Sequence, residues 1–180
     1  MFATVVPMSF RRKAGCPLKA RRRNLFILIA VSAIWIGLDL AAKTFFNGFA
    51  VGQTVAGPFL GIFEFTLVHN TGAAWGVFDQ STLFLGILSL LICALVISYI
   101  FYFAPDTGAM QAFGLSLVFA GGIGNAIDRF AYGYVVDFIE PLFIDFPVFN
   151  IADIGVTCGV VIFLVAFIAN AVRARKAQKD

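Results

Sequence analysis

The chain has 180 residues, 61% of them hydrophobic and 13% charged, with a formal net charge of +3. A soluble domain is about 45–50% apolar and about 25% charged, so the composition excludes an ordinary soluble enzyme and implies a membrane-embedded chain. Arg11, Arg12, Lys13, Lys19, Arg21, Arg22 and Arg23 crowd the first residues, and Arg173, Arg175, Lys176 and Lys179 the last, with only Lys43 and Arg129 between.

In chain order, the short MFATVVPM stretch precedes its charges instead of following them, which argues against a cleavable signal. Ala14–Gly15–Cys16 fails as a lipid-attachment box, because Lys13 stands where an aliphatic residue is needed. Cys16, Cys93 and Cys158 show no metal-ligand spacing, and the last two read as small apolar residues.

A membrane helix needs about 20 mainly apolar residues. Four stretches qualify: Leu25–Phe46, Leu83–Phe103, Met110–Ile127 and Ile151–Val172. Only a Pro/Gly turn separates the second from the third, so those two are expected to be antiparallel neighbours. The spacing predicts one membrane domain over residues 25–172, with basic tails over 1–24 and 173–180. Lys and Arg favour cytoplasmic flanks, so both termini are expected inside, which requires an even number of spans. Basic clusters can also mark nucleic-acid binding, but both clusters abut apolar runs, so no nucleic-acid partner is expected.

The segments from Asn47 to Thr82 and from Asp128 to Val148 then face outside. Phe59–Asn70 alternates aromatic and aliphatic residues with β-branched ones, a pattern for short strands. The fold class expected is an all-α membrane bundle of four helices with small outer β-like and interfacial segments.

Polar residues gather near the outer ends of the spans. Asp39 and Lys43 are four apart on one helical face, either a self-neutralising pair with Lys43 reaching outward or a polar wall for a site. HNTGAAWG, His69–Gly76, reads as a turn in which Asn70 could bond a substrate backbone and Gly72 would permit close approach. His69 stands alone and makes a poor metal ligand. Asn125 and Arg129 are i, i+4 and can point to one place, while Asp128 and Arg129 could form a surface pair. Asn150 and Asp153 have the spacing of a helix-start capping arrangement. Asp137 and Asp153 are both expected on the outer side, where two carboxylates sharing a site cannot both ionise freely. One keeps a proton while the other acts as base, the chemistry by which aspartic proteases activate water.

DLAAK, HNTGAAWG, GGIGNAIDRFAYGYVVDFI and FNIADIGVTCG occur in this order across the four spans. Together they resemble the lipoprotein signal peptidases, the type II signal peptidases of bacteria, over roughly Leu25–Val172. The resemblance implies cleavage of diacylglyceryl-modified prolipoproteins just before the lipidated cysteine, in the inner membrane, by two aspartates without metal or cofactor. It makes Asp137 and Asp153 the dyad. Asn70, Asn125, Arg129 and Asn150 become residues that orient substrate or dyad, and Asp39 and Lys43 a structural or substrate-orienting pair. It also implies inhibition by the cyclic peptide globomycin. Phe59, Phe63, Phe65, Trp75 and Phe138 would offer acyl chains an apolar surface at the level of the dyad.

A small transporter or channel subunit is the main rival, but a conduction path needs polar residues through the full depth of the membrane. An assembly factor whose acids serve only as caps is a third reading. Serine protease chemistry lacks its nucleophile elbow.

Overall fold

A computed structural model describes residues 17–177 apart from 74 and 76. Arg11, Arg12, Lys13, Cys16 and Lys179 lie outside the described residues, as do Ala74 and Gly76 of the HNTGAAWG turn. Four described helices are long and apolar enough to cross a membrane. They are α1 (Pro17–Phe46), α2 (Thr82–Ser98), α3 (Ala109–Tyr132) and α4 (Ile151–Lys176). Three strands, β1 (Thr54–Phe59), β2 (Phe63–Asn70) and β3 (Val135–Pro141), form an antiparallel sheet in the order β1-β2-β3.

Helices α1, α3 and α4 run past the purely apolar stretches. Lys19, Arg21, Arg22 and Arg23, expected in a tail, belong to the first turns of α1. Buried Asn24 and neighbouring Arg23 both donate to the Thr107 carbonyl, at 3.0 and 2.6 Å, and so tie α1 to the turn before α3. After Ser98 the second span widens into a π-helical turn, Tyr99–Phe103, closed by Ala104 N–H on the Tyr99 carbonyl at 2.8 Å. Pro105, which has no N–H to extend the ladder, follows.

The third helix does not stop at Ile127. It carries Asp128 and Arg129 on to Tyr132 and ends where Gly133 turns left-handed at φ +77°. Its central place in the bundle explains this, since α3 packs against α1, α2 and α4 and gives its charged residues partners inside the protein. The α3–α4 contact is made backbone to backbone. A Cβ on Gly114 would lie 2.7 Å from the Gly159 carbonyl oxygen, and one on Gly159 would lie 2.5 Å from that of Gly114.

Two apolar clusters hold the ends together. Leu28, Val96, Ile100, Leu115 and Val118 join α1, α2 and α3. At the sheet end, Phe46, Leu67, Val136 and Phe138 join α1 to β2 and β3. Most of the remaining large apolar side chains on α1, α2 and α4 face outward, as a lipid-facing surface requires.

Candidate active site

Three local features bring distant residues together. The first is strand register: β2 and β3 pair Val68 with Asp137 and Asn70 with Val135. The second is the return of the chain beside β3. Phe149 N–H donates to the Ile139 carbonyl at 3.0 Å, and the Phe149 carbonyl accepts from Phe138 and Ile139. That bridge sets Asn150 next to Asp137. The third is the start of α4, where Asn150 Oδ1 accepts from Asp153 N–H at 3.0 Å and Asp153 Oδ2 accepts from Asn150 N–H at 3.1 Å. The capping box expected from the sequence is therefore present.

The cap uses only one oxygen of Asp153. The other, Oδ1, accepts from Asn125 Nδ2 at 2.7 Å. Asn150 turns its own amide to Asp137, donating to Oδ1 at 2.7 Å, while Asn70 donates to Asp137 Oδ2 at 2.9 Å. Both carboxylates thus hang on Asn150, one through its side chain and one through its backbone. Asn70 is steadied by Gly72, whose N–H donates to Asn70 Oδ1 at 2.9 Å.

Asp137 is 2% exposed. Burial, reinforced by the charge of Asp153, pushes its pKa up to about 7 against the opposing hydrogen bonds of Asn70 and Asn150 and the charge of Lys43. Burial and the neighbouring negative charge therefore both favour a protonated carboxyl at this position.

Arg129 extends from α3 toward the same place. Its Nη2 lies 3.5 Å from the Gly72 carbonyl, and its buried Nε has no partner among the described residues. The guanidinium lies within electrostatic reach of Asp137 and Asp153. Donors are thereby available beside the carboxylates.

Of the two readings of the Asp39–Lys43 pair, the ion pair itself is present, but Lys43 does not reach outward. It is 3% exposed and lies 2.9 Å from Asp39 Oδ2 and 3.2 Å from Asp128 Oδ2. Asp128 accordingly forms no surface pair with Arg129. It is buried, and it accepts from Val136 N–H at 3.0 Å. Sequence reasoning missed this partner, although one signal was available: a lysine within a span, with acids from two spans near its depth.

His69 is a packing residue. Its Nε2 lies 2.9 Å from Asn47 Oδ1, its ring stacks on Tyr134 at 3.8 Å, and burial lowers its pKa. Phe138 does not belong to an open apolar surface, since it is buried and stacked on Phe46 at 4.2 Å. Phe59 and Trp75 are exposed, and Trp75 meets Phe146 edge-on at 5.3 Å. Phe63 and Phe65 are half-buried within the cluster of aromatic rings on the sheet.

Residues 31–169 match the family model described as Signal peptidase (SPase) II. A lipoprotein signal peptidase of Nostoc punctiforme is 43% identical over 147 residues, which is 81% of this chain and 90% of the relative. One from Enterococcus faecalis is 32% identical over 158 residues, which is 87% of this chain and 96% of the relative. Among solved structures, one described as a bacterial membrane enzyme determined by the in meso method at 2.3 Å resolution superposes with a TM-score of 0.73. Its identity is 29%, over 80% of this chain and 88% of its own. A second, at 1.9 Å resolution, gives a TM-score of 0.70 and 30% identity over 78% of this chain and 91% of its own.

Proposed function

The chain belongs to the signal peptidase II family, and from that premise we propose that Asp137 and Asp153 form an aspartic dyad that cleaves diacylglyceryl-modified prolipoproteins just before the lipidated cysteine. One observation carries the mechanism: Asp137 Oδ1 and Asp153 Oδ2 both accept hydrogen bonds from the single residue Asn150. Two carboxyl groups anchored this way can share a proton and address one water molecule.

In the reaction, one carboxylate takes a proton from water as its oxygen attacks the scissile carbonyl carbon. The other carboxyl group donates a proton or hydrogen bond to the carbonyl oxygen. Collapse of the tetrahedral adduct breaks the C–N bond, and the proton first taken from water passes to the leaving nitrogen. The proton belongs to the coupled pair and is not assigned to one residue. Asn125 and Asn150 keep the carboxyl groups aimed, and Asn70 with Gly72 supports Asp137 from the β2 side. Arg129 supplies donors for the substrate backbone.

Two features support a lipid-reading site at the outer face of the inner membrane. Lys19, Arg21, Arg22 and Arg23 of α1 and Arg173, Arg175 and Lys176 of α4 lie at the bundle end opposite the sheet, as expected if that end faces the cytoplasm. Exposed Phe59, Trp75, Phe78 and Phe146 lie at the dyad's end, and apolar surface of this kind gains about 0.8 kcal/mol per methylene buried. Globomycin would block the dyad by occupying the substrate's place. The transporter reading fares worse, because the buried charged side chains Asp39, Lys43, Asp128 and Asp137 all gather toward the sheet end.

The test is incubation of the purified protein with a lipidated precursor, followed by mass spectrometry of the products. The proposal expects a new N-terminus at the lipidated cysteine. A cut elsewhere, or none, overturns it.

A further inference from the structure

Lys43 takes no step in the reaction above, yet it occupies the centre of the buried polar network. Its ammonium contacts three groups: Asp39 Oδ2 at 2.9 Å, Asp128 Oδ2 at 3.2 Å and Asn125 Oδ1 at 2.8 Å. Each of the two acids also holds a backbone N–H, and the positions of those N–H groups are informative. Asp39 Oδ1 accepts from Ala152, the residue immediately before Asp153, at 2.8 Å. Asp128 Oδ2 accepts from Val136, the residue immediately before Asp137, at 3.0 Å.

We infer that Lys43 is a positioning residue for the dyad: through Asp39 and Asp128 it grips the backbone just ahead of each aspartate, and through Asn125 it fixes the amide that faces Asp153. The inference rests on the dyad reading and adds to it a residue that touches neither aspartate.

Stability alone does not account for the arrangement. Burying an ammonium and two carboxylates carries a desolvation penalty that their attraction barely offsets, and apolar replacements of buried ion pairs are often neutral or stabilising. A plain i, i+4 pair would need only Asp39. Here a second acid comes from α3, and the third contact leads outward to Asn125.

The Asn125 amide shows what that third contact does. Its Oδ1 receives Lys43 Nζ at 2.8 Å and Asn150 Nδ2 at 3.0 Å, so its NH2 end is left to donate to Asp153 Oδ1 at 2.7 Å. Were the amide turned over, its oxygen would face a carboxylate oxygen and its NH2 would face two donors. The residue before Asn125 fits the same purpose. A Cβ on Gly124 would lie 2.5 Å from Asp39 Oδ2, so only glycine lets α1 bring Asp39, and with it Lys43, this close to α3.

The test compares Lys43→Met/Asp128→Asn, Lys43→Arg and Asp128→Asn with the unaltered full chain in one detergent. The double variant removes one charge of each sign, so the buried net charge is unchanged, and the amide oxygen it introduces at position 128 can still accept from Val136 N–H. For folded, monodisperse double variant, the expected result is a kcat about tenfold lower, the size of one charge-assisted hydrogen bond, with KM within about twofold. Lys43→Arg keeps the cation and its donors and should retain at least about threefold more kcat than the double variant. If the double variant does not fold, Asp128→Asn alone loosens one anchor and should lower kcat about threefold at unchanged KM.

An unaltered kcat in the folded double variant, or in Asp128→Asn where that is the variant read, overturns the inference. So does a loss in Lys43→Arg as large as in the double variant, or a rise in KM at constant kcat, which would make Lys43 a substrate contact. Asp137→Asn and Asp153→Asn are assayed alongside. Activity in either would sink the dyad itself, whereas inactive aspartate variants beside a fully active Lys43 variant would sink only the positioning role.

Discussion

Replacing Asp137 by Asn should abolish activity while making the protein relatively more stable at alkaline pH. The carboxyl is buried, and its pKa rises from an ordinary 3.8 to about 7. The folded state therefore binds the proton more tightly than the unfolded state. The stability contributed by that proton is fully present below 3.8 and is lost as pH rises through 7. At 1.36 kcal/mol per pKa unit, the full loss is about 4 kcal/mol, of which about 3 kcal/mol falls between pH 5 and 8.

Asparagine does not titrate, so Asp137→Asn escapes this loss. It carries a separate penalty, because its NH2 must face one of two donors, Asn70 Nδ2 or Asn150 Nδ2. That penalty is about 1–3 kcal/mol and independent of pH, so it cancels when the mutant-minus-parent difference at pH 5 is subtracted from that at pH 8. The assay is thermal unfolding of both proteins in one detergent across this range. The Tm difference should move in favour of the variant by roughly 5–10 °C from pH 5 to pH 8. A difference that is flat with pH, or that moves the other way, would refute the reasoning.

Other consequences are simpler to read. A Cβ on Gly155 would collide with the Trp35 indole nitrogen, which donates to the Ile151 carbonyl at 3.0 Å; Gly155→Val should therefore lose about 2–4 kcal/mol of stability, visible as a lowered Tm in detergent. A precursor lacking its diacylglyceryl group should be cleaved at least about tenfold more slowly than its lipidated counterpart in the same detergent, because lipid burial helps hold the scissile bond in place; equal rates would remove lipid-dependent recognition. In a background free of native cysteines, cysteines placed at Gln53 and Glu140 should react with an impermeant thiol reagent outside intact cells, and one at Lys176 should not. Labelling at Lys176 would reverse the proposed orientation.

The spans were legible because about 20 apolar residues between turn formers allow few other structures in a membrane. Their limits were less so. Counting apolar residues ends the third span at Ile127, the last residue before a charge, but a helix can carry Asp128 onward when a neighbouring helix presents Lys43 to it. Strand character over Phe59–Asn70 was readable from alternation, although a turn at residues 60–62 divides it between β1 and β2. An apolar sequence does not say what covers each face, so Phe138 of β3 was expected on a surface and is instead stacked under Phe46. The pairing of Asn150 with Asp153 was readable from local spacing alone. The contact of Asn125 with Asp153 and that of Asn150 with Asp137 depend on chain segments that meet only in the folded bundle; helical spacing pointed Asn125 and Arg129 to one place, and the ordered set of motifs suggested the rest. The grip of Asp39 and Asp128 on the residues before the two aspartates had no signal in the linear chain.

The most direct measurement is the cleavage rate of one lipidated precursor by the parent protein, by Asp137→Asn and by Asp153→Asn, each purified folded in the same detergent. Each substitution keeps the side-chain shape and removes one titrating group. The account predicts that either variant loses at least about a thousandfold in kcat, within the range expected when an acid–base catalyst is removed. A rate within about tenfold of the parent's in either folded variant would contradict an aspartic dyad.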